Sequence, residues 1–211
     1  MTEKLDFKKA YKDLYVPGKK PVLVQVPAMR FLYVEGHGAP EQPQYQNAIS
    51  IFYSIAFTIK MSRLSGATPP GYMDFTPAPL EGLWNDEPFK VQREQWRWTS
   101  MMRMPDYVDE AVIAWAQQKA GAKKPDVDYA PARFGQWEEG LCMQIMHTGP
   151  FSEEPHTIEL MHRALEEQGY ALDMTDGRGL SRRHHEIYLN DPRKTAPERL
   201  KTVLRLPVKK L

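Results

Sequence analysis

The chain has 211 residues, 42% of them apolar and 26% charged, with a formal net charge of +1. That balance is an ordinary globular one and excludes both a disordered chain and a strongly basic nucleic-acid binder. A single cysteine, Cys142, excludes an internal disulfide and any multi-cysteine zinc site.

The opening residues 1–20 read as a short helix-like segment closed by Pro17-Gly18. They contain no apolar core of signal-peptide length, and no stretch approaches a membrane span, so a cytoplasmic protein is expected. A strand-like run, "MRFLYVEGHG", follows. Pro43 then opens a long helix over about residues 44–62, apolar nearly all round and expected to be deeply buried. "YMDFTP" (72–77) reads as a short strand ended by proline, and "WTSMMRMP" (98–105) as another.

"PDYVDEAVIAWAQQKAG" has Val108, Val112, Trp115 and Ala116 at helical spacing, with Gly121 as the stop. The Pro-, Gly- and charge-rich "AKKPDVDYAPARFGQWEEG" reads as a linker. "LCMQIMHTG" is a strand, and Pro155 opens a helix whose apolar stripe is Thr157, Ile158, Met161 and Leu165, closed by Gly169. "HEIYLNDP" and "LKTVLRLP" are the last strands.

The order strand, helix, strand, strand thus occurs twice about one hundred residues apart, with Arg103 matching Arg205 and Pro105 matching Pro207. Duplication explains it better than chance likeness of amphipathic strands. The expected fold is α+β: two such modules forming a mostly antiparallel sheet, with helices on one face and a ligand groove on the other. The expected organisation is a single domain over 1–211, with an extension (1–28), a first module (29–105), a connecting helix and linker (106–139) and a second module (140–211).

Glu186 stands out because a carboxylate in a strand is costly to bury alone. Alternation places Glu186 with Tyr188 and Ile187 with Leu189. The second pair suits the helix side, so Glu186 is expected to look into the groove, with Tyr72 and Asp74 as counterparts from the equivalent strand. A carboxylate in a dry pocket is a usable general base near neutral pH. Trp84, Trp98 and the methionines around 101–104 suit flat organic ligands, although each alone is as well explained as core. Glu153 and Glu154 precede a helix and are accounted for by capping or the helix dipole. No His-x-x-x-His pair exists and His184 and His185 point oppositely, so neither metal nor cofactor is expected.

"DFKKAYKDLYVPGKKPVLVQVPAMRFLYVEGHGAP", "APLEGLW", "HTGPFSEEPHTIELMH" and "HHEIYLNDPRKTAPERLKTVLRLPV" closely resemble the stand-alone GyrI-like small-molecule-binding proteins, over nearly the whole chain. The resemblance implies the duplicated fold and a strand glutamate in an aromatic pocket that meets cationic drugs, a position carried over to Glu186. It also implies, from a subset of the family, hydrolysis of cyclopropanoid alkylating compounds. Glu186 would then activate water and a phenol such as Tyr188 or Tyr72 would stabilise charge, with Trp98, Trp84, Trp137, Tyr33 and Tyr107 as candidate pocket aromatics. The expected partner is a small lipophilic aromatic ligand, with no direct DNA binding because no DNA-binding module is present, and a monomer or weak dimer. Multidrug binding without chemistry, and gyrase inhibition, are the alternatives.

Overall fold

The computed structural model describes residues 4–85, 92–175 and 177–211. Two 16-residue strands, β1 (Val22–His37) and β4 (Arg133–Thr148), form its longest pair, antiparallel from Val22 opposite Gln144 to Tyr33 opposite Arg133. The far half of β1 pairs with β3 (Arg97–Arg103), and the far half of β4 pairs with β7 (Lys201–Lys210). Between them β2 (Leu80–Trp84) and β6 (His184–Tyr188) pair with each other and with β3 and β7 respectively. The sheet therefore closes on itself as a six-stranded ring, β1-β3-β2-β6-β7-β4, which leaves these strands few open edges. A short β5 (Tyr170–Leu172) extends β7.

The α+β, mostly antiparallel expectation holds, with strand–helix–strand–strand order in each half. Several elements differ from their sequence readings. Residues 72–77 form no strand; Phe75 makes only a single bridge to Leu5, and the strand that pairs with β6 is "LEGLW". Within the supposed linker, 133–139 already belongs to β4. Gly121 does not stop its helix, α4 (Glu110–Lys123), whose first turn is capped by Asp109 accepting from the Val112 amide at 2.9 Å. Gly169, with φ of 72°, does end α5 (Glu154–Gln168) in the left-handed conformation that glycine tolerates.

The long apolar helix α3 (Pro43–Met61) is the larger surprise. Tyr45, Ala48, Ile51, Phe52, Ile55 and Ile59 are buried at helical spacing, but Tyr53, Phe57 and Met61 on the opposite side are exposed. An all-round apolar helix needs cover on every side, and α4 covers only part of this one.

Two short helices, α1 (Phe7–Ala10) and α2 (Lys12–Tyr15), precede the ring. Asp6 caps the first through the Lys8 amide at 3.1 Å, and Phe7, Leu14 and Tyr15 are buried. The main core joins these residues to α3, α4 and the ring. A smaller core sits under α5, where Ile158, Met161 and Leu165 meet Met143, Ile145, Leu204 and Leu206.

Candidate functional site

Residues directly opposite in an antiparallel pair lie on one face, so the register sorts the ring's side chains. One row runs Val34, Ser100, Gly82, Glu186, Leu204, Ile145. Its neighbours on that face are Trp98, Trp84 and His184 on one side and Leu80, Tyr188 and Thr202 on the other. This is the face that α3 and α5 cover. Leu204 packs beneath α5, and Tyr45 of α3 lies edge-on to Trp98 at 4.8 Å and stacked on Trp84 at 6.3 Å. The sequence reading gave the helix side to Ile187; the first turns of α3 and α5 instead reach toward Glu186, because their apolar faces pack on the row that contains it. Alternation along β6 separated the two sets as expected.

Glu186 is 5% exposed. The Tyr188 hydroxyl donates to its Oε2 at 2.7 Å, and His184 Nε2 lies 3.0 Å from its Oε1. A carboxylate only accepts, so His184 carries its proton on Nε2. Trp84 Nε1 in turn donates to the Tyr188 oxygen at 3.0 Å. That bond passes over Gly82, where a Cβ would stand 3.0 Å from Trp84 Nε1 and 3.3 Å from the Tyr188 oxygen. The β2–β6 register is symmetric about the Gly82–Glu186 pair, so the counterpart of Glu186 in the first module is this glycine. The site is built once, not twice. The same register makes Met101, not Arg103, the counterpart of Arg205.

Burial first, and the charge of Glu186 second, push the Tyr188 phenol well above its ordinary value, so it remains a neutral donor. Tyr45 is pushed up too, mainly by burial.

The residue that sequence reasoning misjudged is Glu154. It occupies the first turn of α5 but caps nothing; it is buried and its Oε1 has no hydrogen-bond partner among the described residues. Burial, then the negative charge of Glu186, raise its carboxyl well above the usual range; the Thr202 hydroxyl beside it opposes this weakly without closing a hydrogen bond of normal geometry. Among the described residues Thr202 Oγ1 and His184 Nδ1 are also buried without partners, and Ser100 Oγ lies by the Tyr45 hydroxyl without closing a hydrogen bond of normal geometry. Buried polar atoms are nearly always satisfied, so unpartnered ones on the face that carries Glu186 leave capacity for water or ligand. Phe151, exposed, stands edge-on to Tyr188 at 5.9 Å, and Trp96, half-buried, stands edge-on to Trp84 at 5.5 Å; these two rings flank the group on the solvent side.

Of the residues singled out from sequence, Glu186, Tyr188, Trp84 and Trp98 come together. Trp98 is 1% exposed and donates to the Gly38 carbonyl at 3.1 Å, so it shapes the site through Tyr45. Tyr33 is opposite Met101, on the other face, and Trp137 packs beside His185 there at 6.2 Å. Asp74 is bound to Lys60 at 2.7 Å, the Tyr72 hydroxyl donates to the Lys60 carbonyl at 2.6 Å, and Tyr107 lies against Tyr72 at 5.8 Å. These three form a separate cluster at the end of α3, because the strand expected to carry them to Glu186 does not exist.

The inner face of β6 carries a second charged group. His185 Nε2 lies 3.0 Å from Glu81 and its Nδ1 3.1 Å from Glu139, which also accepts from Arg205 at 3.1 Å. Arg205 donates further to Gln144 at 3.0 Å and to the Leu14 carbonyl at 2.7 Å, and Tyr15 donates to Glu81 at 3.0 Å. Burial disfavours the imidazolium, but the carboxylates outweigh it and raise His185. Burial likewise raises Glu139, yet His185 and Arg205 hold it below its ordinary value.

A family model for the GyrI-like small molecule binding domain matches residues 19–209. The chain belongs to the GyrI-like family. It is a GyrI-like small-molecule-binding domain over nearly its whole length. A protein described as a hydrolase from Listeria innocua is 48% identical over 98% of this chain and 100% of its own, with a TM-score of 0.89. Another solved structure described as a hydrolase from Listeria innocua is 47% identical with the same coverage and a TM-score of 0.91. The EcmrR C-terminal domain, 15% identical over 91% of this chain and 98% of its own, shares the GyrI-like fold at a TM-score of 0.54. No curated protein matches the chain. No helix among the described residues is long and apolar enough to cross a membrane.

Proposed function

We propose that this protein binds flat lipophilic aromatic compounds on the helix-covered face of β6 and hydrolyses electrophilic cyclopropanes within them, a detoxifying reaction. The observation that carries the reading is a pair of buried carboxyls in different surroundings: Glu186, bonded by Tyr188 and His184, and Glu154, whose Oε1 has no partner among the described residues and whose carboxyl is raised by burial and by the charge of Glu186. Two neighbouring carboxyls, one of them raised by its surroundings, can supply a base and an acid to one reaction. The Listeria innocua hydrolases, at 47–48% identity, support it from outside.

In this reaction Glu186 takes a proton from water as the water oxygen bonds a ring carbon. The strained C–C bond breaks and its electron pair passes to the conjugated carbonyl oxygen, which takes the proton of Glu154. Proton return from Glu186 to Glu154 through solvent resets the site, and the net change is addition of one water. Trp96 and Phe151 stand on the solvent side of the site, and their displacement would bring a flat substrate against Trp84 and Tyr45, which are buried and stacked on each other in this structure.

The test is a mass-spectrometric time course with a cyclopropanoid alkylator in ¹⁸O-water. Wild type should give a product heavier by one labelled water; recovery of intact ligand from a stable complex would leave a binding protein without chemistry.

A further inference from the structure

The exposed side of α3 poses a separate question. Tyr53, Phe57 and Met61 follow at four-residue intervals with 36%, 46% and 41% of their surfaces exposed, and Leu64 extends the row at 67%. Contiguous apolar surface of this kind marks an interaction site more often than chance. The Tyr53 and Phe57 rings are already stacked at 6.2 Å, so the platform needs little rearrangement to receive a partner.

The row forms one wall of a groove of about 840 Å³ against α4, which contributes half-buried Trp115. Lys119, Lys123 and Lys124 line the α4 side, and no Asp or Glu does among the described residues. Lysines at a helix C-terminus suit the helix dipole on their own account. That explains Lys123 and Lys124 but neither Lys119, one turn earlier, nor the apolar wall opposite. Near Tyr53 lies Asp191, already ion-paired with Arg193 at 2.9 Å.

We propose that this groove is a docking site for an acidic amphipathic helix of a partner protein. From Tyr53 to Leu64 the wall runs about 16 Å at 1.5 Å per residue, or three turns. A helix lying in such a groove anchors through apolar residues at i, i+3 or i+4, and i+7. Acidic residues along one flank would meet the three lysines. Charge also argues against a second copy of this chain facing itself there, since two-fold pairing sets the same patch, lysines included, against itself.

The test uses a fluorescein-labelled 15-residue synthetic helix with leucines at those spacings and glutamates elsewhere, and its twin with lysines in place of the glutamates. Anisotropy should show saturable binding of the acidic probe, at least about tenfold tighter than the basic one and weakening as salt rises. Phe57→Ser should weaken it about tenfold, as should Lys119→Glu with Lys123→Glu, each variant keeping the wild-type circular dichroism. Equal binding of the two probes, or full binding by Phe57→Ser, overturns the proposal. So does a wild-type dimer that Phe57→Ser converts to monomer, because the groove would then belong to a second copy.

Discussion

Two groups of charged side chains lie back to back across β6, and they are finished to different degrees. On the inner face both nitrogens of His185 are bonded to carboxylates and Arg205 donates to Glu139, Gln144 and a carbonyl, while Arg103, farther along the same face, keeps Nε and Nη1 without hydrogen-bond partners among the described residues. On the helix-covered face Glu186 is held on both oxygens, yet Glu154, Ser100, Thr202 and His184 each present a buried atom without a hydrogen-bond partner among the described residues. The His185–Arg205 network itself, with its hydrogen bonds made, fixes one arrangement. An unsaturated one has capacity in reserve. The contrast is what the proposed hydrolysis on the helix-covered face predicts, with the His185–Arg205 group holding the ring closed.

The largest effect on stability should come from the inner group. Arg205→Met removes one partner from a fully buried pair and leaves Glu139 under-compensated, a loss of about 3–5 kcal/mol in denaturant unfolding. A loss below about 1 kcal/mol would mean that the network contributes little. Next comes Gly82→Ala, whose Cβ meets the Trp84–Tyr188 hydrogen bond. Overpacking there should cost about 1–3 kcal/mol and reduce turnover by displacing Tyr188 from Glu186. A Gly82→Ala protein with wild-type rate would detach that geometry from function.

The smallest effect is the pH dependence. His185 is raised in the folded state, so its contribution is complete below its unfolded value, about pH 6.5, and is lost as pH rises through the folded one. Glu139 is lowered, so its contribution is present above its unfolded value, about pH 4.3, and is lost as pH falls through the folded one. The melting temperature should therefore be highest between those values and decline on both sides, with an alkaline slope of at most about 1.4 kcal/mol per pH unit from His185. On the other face, Glu154 is raised, so activity should fall as pH climbs through its value and the proton donor is lost. A rate that rises over that range would remove Glu154 from the role of acid.

The same contrast explains what the sequence could and could not reveal. Gly169, Pro43 and Pro155 mark their helices because a left-handed φ and a missing N–H have local consequences. Strand β6 was legible from its alternation. Strand β2 was not: "LEGLW" places a glycine and a glutamate mid-strand, which reads as poor strand former, while "YMDFTP" reads better and is not one. Both odd residues have long-range reasons, Gly82 to admit the Trp84–Tyr188 bond and Glu81 to meet His185, 104 positions away. Glu154 was hidden for a similar reason. A carboxylate in a helix's first turn is ordinary in sequence, and only the approach of β6 and β7 buries it.

The most direct test of the division between the two faces is to measure turnover and melting temperature together on Glu186→Gln. The substitution keeps the shape of the buried side chain and an acceptor for Tyr188, so the melting temperature should stay near the wild-type value, while single-turnover hydrolysis of a cyclopropanoid alkylator falls at least about a hundredfold. Full activity in the variant, or a loss of activity that only follows unfolding, would contradict the account.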